Sequence, residues 1–351
     1  MRILMTADTV GGVWTYALDL ADALAPHGVE VELATMGRPL DHGQRAELAH
    51  SAVAAVHESE FALEWEQDPW DDVDRAGRWL LELEDRLRPD LVHLNGYAHG
   101  CLPWQTPVLI VAHSCVFSWW EAVKHEPPPP EWTRYRDSVE AGLRAARAVV
   151  APTQAMLEAL ERHYSFRTTA IVIHNGRSLA TQARDKEPFV LGTGRFWDEA
   201  KNVAALQRVR EDVPWPVVLL GAGSPLGRLP AEEIATYLAR ASVFASPARY
   251  EPFGLSILEA ALAGCALVVG DIPSLREVWG NAALFVPPDD GDALADALRL
   301  LAHDRELREE VAHRGHRRAL RYTPERMAAR YVELYEEVAA AEPHAEHAAS
   351  S

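Results

Sequence analysis

Cysteine is scarce in this chain of 351 residues, which holds only Cys101, Cys115 and Cys265. Three thiols without metal-ligand spacing exclude a disulfide-stapled fold and a cysteine zinc site, and they suit the reducing cytoplasm. Long hydrophobic runs are also missing. No stretch approaches the roughly 20 apolar residues that a membrane-spanning helix needs, so no integral membrane segment is expected. The apolar start Met1–Ala7 meets Asp8 too soon for a secretion signal and reads as a buried first strand. Positive charge is in short supply: 34 Lys and Arg face 52 Asp and Glu, a formal net charge of -18. Residues 1–172 are the more acidic half, with 14 basic against 26 acidic side chains. Binding to nucleic acid rests largely on neutralising phosphates, so nucleic acid is not an expected partner. Docking on anionic lipid is disfavoured on the same ground. No repeat with a period of 20–50 residues is present.

What remains is ample core material. Hydrophobic residues make up 48% and charged residues 25% of a chain long enough for two domains. The first half opens with a strand at 2–7, a glycine turn at Gly11-Gly12 and a helix at about 13–26, with Val13, Ala17, Leu20, Ala21 and Leu24 on one face. Short, β-branched apolar runs follow at 29–35, 91–94, 108–112 and 148–151, with helical stretches at 72–88 and 137–147. The second half repeats the alternation. Its strand candidates lie at 170–173, 190–193, 217–220, 243–246, 266–269 and 283–286. Helices are predicted at about 201–211, 231–240, 255–264, 291–302, 304–320 and 324–340. Near-continuous apolar strands alternating with helices imply parallel sheets covered on both faces. The division is therefore 1–172 and 173–323, with a returning helix at 324–340 and a tail at 341–351 that holds no core former.

Chemistry concentrates in the second half. Gly194-Arg195 follows a strand, at the carboxyl end where ligands of parallel sheets bind, and Lys201-Asn202 comes six residues later, at the first turn of the next helix. Glu251-Pro-Phe-Gly-Leu-Ser-Ile-Leu-Glu259 sets two carboxylates around a glycine that opens an apolar helix. Such a helix start presents unpaired N–H groups to an anion, and Gly254 lets an oxygen approach closely. Each carboxylate can accept paired hydrogen bonds from a vicinal diol. A glycosidase pair of carboxylates would leave Arg195 and Lys201 idle. In the first half, Gly11-Gly12 lacks the spaced three-glycine fingerprint of dinucleotide enzymes. His113-Ser114 and Asn95-Gly96 stand at strand ends. The segment 58–74 holds eight carboxylates without Lys or Arg, with Phe61, Trp65 and Trp70 interleaved, and reads as a solvated loop with its tryptophans packed inward. Phe117, Trp119 and Trp120 form a second aromatic cluster, suited either to packing or to an acceptor ring. Gly221-Ala-Gly223 is a turn or a phosphate loop.

The pairing of Gly194-Arg195 and Lys201 with the Glu251–Glu259 motif resembles the family 4 glycosyltransferases, retaining enzymes of the GT-B fold. The resemblance covers nearly the whole chain and is most specific over 190–290. It implies an α/β fold of two Rossmann-like, doubly wound domains around an interdomain cleft. It implies transfer of a hexose from a nucleoside-diphosphate sugar to a hydroxyl acceptor, a small molecule or a glycan, without metal or other cofactor. Arg195 and Lys201 would hold the diphosphate, with the backbone of Phe253, Gly254, Leu255 and Ser256. Glu251 would hold the sugar, Glu259 the ribose, and His113 the donor's outer face, with Gly11 and Gly12 close by. Between Leu220 and Ala231 the relatives fit a further helix and strand where this chain has ten residues, so Arg228 and Leu229 would take over the base-reading role. Two alternatives stay open: a nucleotide-sugar epimerase of the same fold, and a non-catalytic nucleotide-sugar-binding partner of another transferase.

Overall fold

A computed structural model of the chain describes residues 1–179, 185–224, 227 and 229–340. Arg228 and the tail 341–351 lie outside the described residues.

The apolar runs become two all-parallel sheets. The first comprises β1 (Arg2–Asp8), β2 (Glu30–Met36), β3 (Ala55–Glu58), β4 (Leu91–Leu94), β5 (Val108–Val111), β6 (Ala148–Ala151) and β7 (Thr169–Val172), in the order β3-β2-β1-β4-β5-β6-β7. The second comprises β8 (Glu187–Thr193), β9 (Val217–Leu220), β10 (Ala241–Ser246), β11 (Ala266–Gly270) and β12 (Leu284–Val286), in the order β12-β11-β10-β8-β9. The central strands β4, β5, β6, β10 and β11 are buried throughout, because helices cover both faces of each sheet.

One expected strand changes sheet. Residues 170–173 read as the opening of the second half, yet Thr169–Val172 pairs with Ala148–Ala151 and closes the edge of the first sheet. A four-residue apolar run carries no mark of the sheet it will join. The helices His42–Leu48, Val116–Lys124, Gln154–His163 and Pro273–Trp279 were not anticipated; each is ten residues or fewer, too short for a helical period to stand out.

The last helix, Pro324–Ala340, returns to the first sheet. Met327, Ala328, Tyr331, Leu334, Tyr335 and Val338 join one core with Ile3, Met5, Tyr16 and Leu20. Each of these large side chains contributes about 1.5–3 kcal/mol by leaving water. The helix is also fixed by direction: the Tyr331 hydroxyl lies 2.6 Å from that of Tyr16, and the Tyr335 hydroxyl 2.6 Å from Nδ1 of buried His93. Unpairing such a buried hydroxyl costs about 1–3 kcal/mol.

The halves meet through side chains that cross between them. Glu277 accepts hydrogen bonds from the backbone N–H groups of Gln154 (2.8 Å) and Ala155 (2.9 Å), capping a helix of the first half with a carboxylate of the second. Thr153 donates to Pro252 O at 2.9 Å. The half-buried Tyr250 accepts at its hydroxyl from the Cys115 backbone at 3.2 Å, and the same hydroxyl lies 2.8 Å from Ser118 Oγ.

Candidate active site

In an open parallel sheet the crevice lies at the carboxyl ends of the strands, where the strand order reverses. In the first sheet that point falls between β1 and β4, and in the second between β8 and β10. Gly11-Gly12 follows β1, Asn95 follows β4, Arg195 follows β8 and Glu251 follows β10. The two crevices face each other: a Cβ on Gly11 would stand 3.5 Å from Arg195 Nη1, and one on Gly12 3.7 Å from Leu255 Cδ1.

Arg195 is held on one side only. Its Nη2 donates to Asp198 Oδ2 at 2.6 Å, and its guanidinium lies 5.1 Å over the ring of exposed Trp197. Among the described residues its buried Nε has no partner, and neither has the Thr193 hydroxyl two residues earlier. Asp198 also caps Ala200 N–H at 3.0 Å and accepts from Trp119 Nε1 of the opposite half at 3.4 Å. Sequence reading passed over Asp198, because an aspartate three residues after an arginine is an ordinary surface pattern.

Lys201 does not open a helix as expected. It ends a tight turn, Glu199–Lys201, and the helix begins only at Val203. Asn202 between them takes a left-handed φ of 52°, with its amide donating to Pro247 O (2.9 Å) and Pro288 O (2.7 Å). That turn delivers the Lys201 ammonium to Glu251 Oε2 at 2.5 Å. The structure thus pairs two residues that the sequence gives as separate contacts.

Gly254 (φ 93°) caps the helix Leu255–Leu262, and among the described residues no side chain caps its start. Any Cβ there would be strained and would stand 2.9 Å from Ile257 Cδ1. Phe253 is buried, its ring edge-on to Tyr322 at 5.6 Å, and so anchors the turn rather than lining open space. Ser256 is half-buried, and Leu229 is half-buried against the core of the second sheet. Gly221 allows its loop to lie directly on Gly194, whose carbonyl oxygen is 2.1 Å from where a Cβ would be, so packing accounts for that glycine. Glu259 Oε1 accepts from Arg177 Nε at 2.7 Å.

On the facing side, Asp8 accepts the backbone N–H groups of Val10 (2.9 Å) and Gly11 (2.8 Å) and so shapes the glycine turn. Burial raises its carboxyl above the ordinary range, while those two N–H groups oppose the shift. His113 Nε2 lies 2.7 Å from Asn95 Oδ1, and its ring packs edge-on to Tyr16 at 4.5 Å. Burial depresses the His113 imidazole to about 3, so it is neutral at neutral pH. Asn95 is more than a turn residue, since its amide also donates to Thr6 O at 2.6 Å.

The acidic segment is not wholly solvated. Glu64 accepts N–H bonds from Tyr97 (3.0 Å) and Ala98 (2.7 Å), and burial raises its carboxyl. Trp70 is buried, whereas Trp65 is exposed rather than packed inward. Phe117 is half-buried and stacks on Tyr135 at the edge of the core. Among the described residues, no group of three or more His, Cys, Asp or Glu is placed to hold a metal ion, and no helix is long and apolar enough to cross a membrane.

Comparison with known proteins gives the family. Residues 10–181 fit the family model Glycosyltransferase Family 4, and residues 225–318 fit Glycosyl transferases group 1. The chain belongs to glycosyltransferase family 4 and has the GT-B fold. O-antigen chain mannosyltransferase B of Escherichia coli is 30% identical over 161 residues, 45% of this chain and 39% of that protein. The match thus spans about two fifths of that relative's length. A glycogen synthase of Mycobacterium tuberculosis is 27% identical over 87% of this chain and 86% of its own. Among solved structures, a sucrose-phosphate synthase from Thermosynechococcus elongatus superposes with a TM-score of 0.80 at 20% identity, covering 97% of this chain and 100% of the other. Anabaena HepE, solved with UDP-glucose, gives 0.73 at 19% identity, covering 96% and 100%.

Proposed function

We propose that the protein is a glycosyltransferase that takes a hexose from a nucleoside-diphosphate sugar and passes it, with retention of anomeric configuration, to a hydroxyl group of a small molecule or glycan. The observation that carries this reading is the convergence of two cations and an uncapped helix start at one switch point, opposite the glycine turn. Arg195, Lys201 and the N–H groups at Gly254–Ser256 suit a diphosphate, whose leaving oxygen gains charge as the glycosidic bond breaks. Fixed positive charge aimed there stabilises the transition state more than the ground state. The unpartnered Arg195 Nε and Thr193 hydroxyl are the donors such a ligand would satisfy.

Glu251 takes the sugar hydroxyls in this reading, with Lys201 holding its carboxylate in place. Glu259 takes the ribose. His113, neutral and oriented by Asn95, lies over the donor sugar as a hydrogen-bonding group rather than an acid. Retention follows front-side attack, in which a donor phosphate oxygen accepts the proton of the incoming hydroxyl. The two cations do the work a divalent ion would do, so the reaction runs without metal. A UDP-sugar donor draws support from the complex of the structurally similar HepE. The reaction belongs to the cytoplasm, where nucleotide sugars are at hand.

The test is a donor-by-acceptor screen read by mass spectrometry, with a donor-only arm. Mass transfer to an acceptor supports the proposal. An altered sugar in the donor-only arm identifies an epimerase instead, and binding without turnover of any pair points to a non-catalytic partner.

A further inference from the structure

Arg177 stands in the connector between the two sheets, just after β7, and its backbone N–H donates to Tyr322 O at 3.1 Å. Its side chain is four-fifths covered and lies between two carboxylates from opposite halves. Nη1 reaches both oxygens of Asp19, at 2.8 and 2.9 Å, on the helix Gly12–Leu24. Nε reaches Oε1 of Glu259 at 2.7 Å, on the helix Leu255–Leu262. Among the described residues only Oε1 of Glu259 is bonded to protein, which leaves Oε2 for another donor.

We infer that Arg177 is a positioning residue for Glu259, and that through it recognition of the ribose diol depends on Asp19 in the opposite half of the molecule. The inference rests on reading Glu259 as the ribose contact. A carboxylate reads a diol only if its oxygens are fixed in direction, and the planar guanidinium supplies that direction through a bond that a lysine cannot reproduce. Asp19 holds the other end of the fork. Without it the guanidinium is free to turn, and Glu259 loses its fixed rotamer. Asp19 meets Arg177 through both of its oxygens, so its influence on the nucleotide passes through Arg177.

Discrimination between ribose and deoxyribose reports this directly, whereas a general loosening of the fold would weaken both nucleotides alike. UDP, GDP and ADP are titrated by calorimetry into wild type, and the one that binds is compared with its 2′-deoxy counterpart in wild type, Asp19→Asn and Arg177→Lys. We expect wild type to favour the ribonucleotide by about tenfold, as one charge-assisted hydrogen bond implies. Both variants should lose most of that preference, with the affinity for the deoxynucleotide unchanged. Parallel loss of both affinities, or full discrimination in a folded Asp19→Asn protein, overturns the inference and leaves the donor site standing. If Arg177→Lys fails to fold, Asp19→Asn decides alone. No binding of any of the three diphosphates to wild type, or binding without ribose preference, overturns the reading of the site and this inference with it.

Discussion

The Lys201 ammonium and the Glu251 carboxylate meet at 2.5 Å across fifty residues of sequence, the lysine after β8 and the glutamate after β10. Their side chains are largely shielded from water, so the pair interacts more strongly than a surface ion pair would. One consequence is that neither residue acts alone. Lys201→Ala leaves Glu251 without its cation, and Glu251→Gln leaves the ammonium without its carboxylate. Each single change should lower turnover by about 10²–10³, as removal of one transition-state partner does elsewhere. The double variant should be little worse than either, because residues that act as a unit are not additive. Steady-state kinetics on the three folded variants checks this; fully additive losses would mean the pair is not a functional unit.

Asp198 should prove nearly as important to turnover as the arginine it holds. Its Oδ2 fixes Arg195 at 2.6 Å and its Oδ1 caps the following turn. Asp198→Asn keeps the cap but sets an amide donor against the guanidinium. Turnover should fall by about tenfold or more, with stability lowered by about 1–3 kcal/mol. Kinetics and thermal melting are measured together. Wild-type turnover in this variant would show that Arg195 needs no brace.

Stability should carry a signature of Asp19 between about pH 4 and pH 6. Burial raises its carboxyl from 3.8 to about 6, against the opposing pull of Arg177 and with smaller raising effects from Glu259 and Asp22. A carboxyl whose folded value is raised favours the folded state while it holds its proton. That contribution is fully present below about pH 4 and is lost as pH rises through about 6. Relative to Asp19→Asn, wild type should therefore lose stability as pH rises across this window, by about 1–3 kcal/mol. Urea melts of both proteins at several pH values test the sign. A wild-type advantage that grows with pH contradicts it.

Chelation should leave activity intact, because Arg195 and Lys201 supply the positive charge at the leaving group. Enzyme treated with EDTA is assayed with and without added magnesium or manganese. Loss of activity that either ion restores would place a divalent cation at the diphosphate.

How much of this was legible in the sequence varies with the range of the interaction. Glu251, Gly254 and Glu259 lie on one short segment, so their spacing alone marks a helix start flanked by carboxylates. The fully buried strands were equally plain, since runs such as Val108–Val111 and Ala266–Gly270 have few other uses. Contacts made only by the folded chain left no local mark. Arg177 is a lone arginine after Asn175-Gly176, and nothing nearby announces that Asp19 and Glu259 will flank it. Glu277 reads as a surface glutamate on a short helix, although it caps Gln154–His163 from across the interface. The sequence marks Lys201 but not its conformation, because the left-handed Asn202 delays the helix to Val203.

The most direct test of the account is calorimetric titration of UDP, GDP and ADP into wild type, Arg195→Ala, Glu251→Gln and Glu259→Gln. The account predicts that wild type binds one of these diphosphates at a single site. Arg195→Ala and Glu259→Gln should bind it about tenfold or more weakly, since each removes a charged partner of the nucleotide. Glu251→Gln should bind it as wild type does, because its partner is the sugar, which a nucleoside diphosphate lacks. Undiminished binding in Arg195→Ala and Glu259→Gln, with loss confined to Glu251→Gln, would contradict the placement of the donor in this half of the molecule.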